Sequence, residues 1–154
     1  MTTHRHDFDV SVGTWKTHNR RLRRALAGCT EWYEFEATGR ARMVLDGIGN
    51  IDEYEAPSEG LVGFTLRVYD PERDEWLLYW VGRAGGPLGA PQVGRMENGR
   101  GDFEADDVWN GIPIRVVYRW TVVSPTEARW EQAFSADGGR TWETNWIMES
   151  TKVG

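Results

Sequence analysis

Apolar and polar side chains alternate along most of the chain with a period of two, the spacing that sends successive residues to opposite faces of a β-strand. Glycine, proline, asparagine and aspartate interrupt the alternation at short intervals. The pattern predicts strands over residues 13–22, 30–38, 40–46, 50–56, 61–70, 75–83, 92–97, 101–109, 112–123, 127–136 and 141–152. A Pro-Glu-Arg-Asp turn at 71–74 joins two of them, since proline supplies the fixed φ that a type I turn wants. Asn98 and Gly99 form a second hairpin turn, because both tolerate positive φ. About ten short strands joined by tight turns predict an all-β fold, an antiparallel up-and-down β-barrel spanning 1–154 as a single domain. The helix candidates are the arginine-rich stretch 19–27, whose Leu22, Ala25 and Leu26 allow one apolar stripe, and a turn near 8–12. That stretch would form a helical lid over the barrel mouth. A glycine- and proline-rich segment, 83–91, is the loop alternative for a lid.

Strand parity sorts the side chains by face. Trp76, Leu78 and Trp80 share one parity, as do Ile114, Val116, Tyr118 and Trp120. Trp130, Gln132 and Phe134 form a third group, and Trp142, Thr144, Trp146 and Met148 a fourth. Arg115, Arg119, Arg129, Glu131, Glu143 and Glu149 occupy the opposite parities, so the aromatic faces are expected to point inward. A barrel of about ten strands encloses a cavity that needs a ligand or water, and the alternative is that the rings themselves fill the core. Indole walls broken by Tyr118, Gln132 and Thr144 have the composition of a small-molecule pocket.

Composition gives this reading its limits. The chain has 154 residues and nine tryptophans. Its 18 Lys and Arg against 24 Asp and Glu leave a formal charge of −6, which argues against affinity drawn from phosphate contacts and hence against nucleic acid as a partner. The longest apolar run, Trp76 to Val81, is six residues, far short of the roughly 20 needed to cross a bilayer. The first residues lack the apolar core of a secretory signal, and the single Cys29 excludes an internal disulfide framework. A cytoplasmic protein with no membrane partner is expected. Closing the barrel removes free strand edges, so a homodimer would be built from outward side chains or end loops.

Gly13, Thr14 and Trp15 open the first long strand, and Lys152 stands in the last one. Further features are Glu31-Trp32, the Gly47-x-Gly49 kink leading into Asn50-Ile-Asp52-Glu53, Trp130-Glu-Gln132, and the run from Ser135 to Trp142 followed by Asn145-Trp146. Over most of its length the chain resembles a lipocalin-like family of small bacterial proteins in the calycin superfamily. The resemblance implies a barrel with an internal cavity, a Trp15 that closes one end and a basic residue, Lys152, over its ring. It brings no settled chemistry and no catalytic residues. Ser135-x-Asp137-x-Gly139-x-Thr141-Trp142 also matches an Asp-box, a hairpin turn in which Asp137 accepts backbone N–H groups and Trp142 packs beneath.

Groups suited to chemistry are few. His18 is the only histidine within a predicted strand and the conventional general-base candidate. Asn50, Asp52 and Tyr54 share one strand face with Glu53 on the other, and a carboxylate in an indole-lined pocket suits acid–base work. His4 and His6 have strand spacing for a metal but sit in a stretch expected to be disordered. Phosphate loops, dinucleotide fingerprints, zinc spacings and a serine elbow do not occur, so no cofactor and no metal is expected. The leading expectation is binding of a small hydrophobic or aromatic molecule by Trp80, Tyr118, Trp120, Trp130, Gln132, Trp146 and Met148. The alternative is a cofactor-free cyclase, isomerase or lyase acting on a polyketide- or terpenoid-like metabolite through Asp52, Glu53 or His18. A third is haem binding of the nitrobindin type, for which His18 is the axial-ligand candidate.

Overall fold

A computed structural model describes residues 3–154. Eleven antiparallel strands form one sheet: β1 (Gly13–Leu22), β2 (Trp32–Val44), β3 (Gly49–Ala56), β4 (Leu61–Asp70), β5 (Glu75–Gly82), β6 (Gln92–Gly94), β7 (Met96–Glu97), β8 (Arg100–Trp109), β9 (Ile112–Ser124), β10 (Glu127–Ser135) and β11 (Glu143–Lys152). Neighbours in sequence are neighbours in space, β1 pairs with β11, and the sheet closes where Val93 of β6 meets Glu104 of β8. β6 and β7 are successive segments along the same edge of β8, so the wall is ten strands around. Closure needs a close approach. A Cβ at Gly94 would fall 2.2 Å from the Asp102 carbonyl oxygen, a separation only glycine permits.

The up-and-down barrel is therefore the fold the alternation predicts, with three departures. Segments 30–38 and 40–46 merge into one continuous strand, β2, because Gly39 is not a turn: it pairs in register with Trp15 on one side and Tyr54 on the other. No helix forms over 19–27. Asn19 to Arg21 are held on both sides by ladders to β2 and β11, Leu22 is held by β2, and beyond them Leu26 has a left-handed φ of 56° that breaks any helical path. The segment still covers part of one barrel end, since Ala25 and Leu26 pack against the cluster of Ile114, Val116 and Phe134. Finally, a bulge lies between β10 and β11: Gln132 faces Trp146, but Ala133 faces Thr144, leaving Asn145 as the extra residue. Parity inverts there, so Trp142 is 41% exposed rather than interior. It caps the Asp-box turn, donating Nε1–H to the Gly139 carbonyl at 3.1 Å.

The opposite end is closed by the chain's beginning. Phe8, 2% exposed within a short 3-10 turn region, sits edge-on to Trp76 and against Phe103. His4 is not loose: its N–H donates to Asp74 and its carbonyl accepts from Trp76 Nε1. Trp15 is buried beside this plug, donating Nε1–H to the Ser11 carbonyl, and Lys152 Nζ lies 5.2 Å from its ring centroid. Arginine–carboxylate pairs such as Arg119–Asp102 and Arg129–Glu131 run along the outer face of β8 to β10. No helix among the described residues is long and apolar enough to cross a membrane.

Candidate functional site

Between the two ends the interior holds a chamber of about 230 Å³. Trp80, Tyr118, Trp120 and Trp130 line it together with Gln132, Trp146 and Met148, so the structure brings all seven of the residues named for ligand contact around one space. The walls are rigidified by ring contacts. Tyr118 packs on Trp130 at 5.1 Å between centroids, and Trp130 meets Trp146 edge-on at 5.5 Å. Trp80 differs from the others: at 44% exposed it stands at the opening. Gly63 beside it is required, because a Cβ there would sit 2.6 Å from the Trp80 ring. β5 pairs with β6 only through Trp76, Leu77 and Leu78, so from Tyr79 onward that side of the wall is open and bordered by the exposed 83–91 loop.

Of the three candidates for chemistry, only Asp52 reaches the chamber. Glu53 has the opposite parity on β3 and is exposed. His18 lies on the outer face of β1, where Nδ1 meets Glu36 Oε1 at 2.6 Å and Nε2 meets Glu34 Oε1 at 2.9 Å. Those hydrogen bonds, Glu36 first, raise its pKa. An imidazole engaged with two carboxylates outside the barrel cannot act as base or haem ligand within it. Among the described residues no group of three or more His, Cys, Asp or Glu side chains could hold a metal ion.

Three polar residues that the alternation did not single out build the rest of the site. Arg67 of β4 is 2% exposed and lines the chamber. Its Nη2 donates to Asp52 Oδ2 at 2.7 Å and its Nη1 to Asn50 Oδ1 at 2.8 Å, while its Nε–H is buried without a partner. Phe8 and Trp120 lie over the guanidinium at 4.5 and 5.2 Å. Asn19, fully buried, accepts from Tyr54 Oη at 2.9 Å and from Trp146 Nε1 at 3.0 Å, which fixes both rings. Asn145 is turned inward by the bulge and accepts from Gln132 Nε2 at 2.9 Å. The signal for Asn19 was its parity, shared with Trp15, whereas the apolar residues on both faces of β4 gave none for Arg67.

Burial raises the Tyr118 phenol to about 12, so it stays protonated across the neutral range, and its Oη has no hydrogen-bond partner among the described residues. Tyr54 is also pushed up by burial. The site therefore offers flat apolar walls, one internally neutralised ion pair and a free phenol. No family model matches the chain, and no curated protein is significantly similar to it.

Proposed function

We propose that the protein binds a small hydrophobic or aromatic molecule inside its barrel. The observation that carries this reading is the open chamber of about 230 Å³ among side chains large enough to have closed it. Protein interiors rarely leave voids much larger than a water molecule. A dry, empty space of this size would cost on the order of 5 kcal/mol. A cavity of roughly 150 Å³ holds benzene, and drug-sized sites begin near 300 Å³, so the fitting guest has one or two rings. The open stretch of wall beside Trp80 gives it a way in. Saturable quenching of tryptophan fluorescence by naphthalene supports the reading; a linear, collisional response overturns it.

A lipocalin-like, calycin membership is part of the same proposal. The pairing of Trp15 with Lys152 across the β1–β11 ladder, with the cation over the indole, supports it. Cys29 as the sole cysteine suits a reducing compartment, and we take the cytoplasm as the place of action.

Asp52 on the chamber wall favours a second reading, proton transfer to a bound molecule without a cofactor. Incubating the protein with tetralone, a bicyclic ketone, in deuterated water tests it. Enhanced deuterium uptake at the α-carbon that disappears in Asp52→Asn supports turnover; uptake at the buffer rate leaves binding as the function.

A further inference from the structure

The polar groups on the chamber wall can be sorted by what they still have to offer. Tyr54 spends its hydroxyl hydrogen on Asn19, and Gln132 is tied to Asn145. Arg67, the one cation on the wall, directs Nη1 and Nη2 at Asn50 and Asp52, so its charge is met by a carboxylate already in place. Among the groups with capacity left, which include Arg67 Nε–H, Gln132 Oε1 and the Thr65 hydroxyl, Asp52 supplies the one carboxylate and Tyr118 the one unengaged phenol. Asp52 Oδ1 receives no hydrogen bond from the described residues and is an acceptor only, while the Tyr118 hydroxyl can donate or accept.

The two residues stand on opposite sides of the barrel. From β3, which carries Asp52, to β9, which carries Tyr118, the sheet order runs five steps through β2, β1, β11 and β10, and five steps the other way through β4, β5, β6 and β8. They stand on opposite walls of one chamber, with Trp80, Trp130 and Trp146 between them. A carboxylate ligand would bring a second negative charge beside Asp52, with only the Nε–H of Arg67 left unengaged on the wall to receive it. A purely apolar ligand would leave Asp52 Oδ1 and Tyr118 Oη without partners once water is expelled, a desolvation cost that discriminates against it. A hydroxyl at one end of a flat ring system would donate to Asp52, and a second at the far end would exchange a hydrogen bond with Tyr118.

Resting on the binding reading above, we propose that the chamber selects an uncharged planar aromatic molecule bearing hydroxyl groups at opposite ends. Asp52 is its acceptor and Tyr118 its distal partner, and Arg67 positions Asp52.

Four probes of one skeleton separate the alternatives: naphthalene, naphthol, a dihydroxynaphthalene with its hydroxyls at opposite ends, and naphthoate. Affinities measured by calorimetry on the full chain are expected to rise from naphthalene to naphthol to the diol, roughly fivefold per hydroxyl, with naphthoate weakest. Tyr118→Phe is expected to erase the gain from the second hydroxyl and to raise naphthalene affinity by removing the unpaired hydroxyl, and Asp52→Asn to erase the gain from the first. Naphthalene binding as tightly as naphthol, or naphthoate binding best, overturns this assignment and leaves the binding reading standing. Failure of all four to bind overturns both. Should Asp52→Asn fail to fold, the Tyr118→Phe comparison decides.

Discussion

Arg67 Nη2 and Asp52 Oδ2 lie 2.7 Å apart inside the barrel, and each is the reason the other can be there. A guanidinium 2% exposed needs an opposite charge, and the carboxylate gains a fixed donor on one of its oxygens. Asp52→Ala is expected to destabilise the protein by roughly 3 kcal/mol by leaving the guanidinium uncompensated. The double variant Asp52→Ala/Arg67→Met should recover most of that loss. Denaturant unfolding of the three proteins checks it, and a double variant no more stable than the single one would show that the pair is not the controlling interaction.

Trp80 is the one chamber tryptophan that solvent reaches freely. Removing its ring therefore takes less buried area from the core than truncating Trp130, 8% exposed. Trp80→Ala is expected to leave the unfolding midpoint nearly unchanged and to speed both association and release of a naphthalene probe in stopped-flow measurements. Trp130→Ala should instead cost roughly 3 kcal/mol or more.

Asp137 sets the acid side of turn stability. Thr141 donates to it from side chain and backbone, and Ser135 and Arg140 add further hydrogen bonds, lowering its pKa from the ordinary 3.8 to about 2. A depressed carboxylate contributes stability that is present above its unfolded pKa and lost as the pH falls through its folded one. The stability difference between wild type and Asp137→Ala is thus expected to be constant at neutral pH and to narrow as the pH drops from 3.8 toward about 2. Unfolding curves collected across that window check it.

Lys152 lies over the Trp15 ring at 5.2 Å from its centroid. Lys152→Met keeps the aliphatic stem and removes the cation, with an expected cost of about 0.5–1 kcal/mol. Trp15→Ala removes the plug itself and should cost roughly 3–5 kcal/mol. Thermal unfolding distinguishes the two magnitudes.

Most of the barrel was legible because period-two alternation and turn chemistry point to the same boundaries, as in β1 and β4, whose limits the pattern predicts. The chamber residues followed from parity alone. What parity could not reveal is a bulge. Asn145 shifts the register by one residue, so Trp142 lands outside while Trp146 stays inside. Arg67 was hidden for a different reason: in Thr65-Leu66-Arg67-Val68-Tyr69 both parities carry apolar residues, and hydrophobicity favours Leu66 and Val68 as the inner pair. The structure puts Arg67 and Tyr69 inside because Asp52, Asn50 and Asp74 meet their polar atoms. Such complementarity between one strand and its neighbour or turn leaves no mark on either segment alone.

The central claim, a ligand held among the chamber indoles, is tested most directly by the indole N–H resonances of the nine tryptophans. On titration with naphthol, those of Trp80, Trp120, Trp130 and Trp146 should shift and saturate together, while those of Trp32, on the outer surface under Arg20, and Trp142, on the Asp-box turn, stay in place. Shifts confined to Trp32 and Trp142, or none at any indole, would contradict the account.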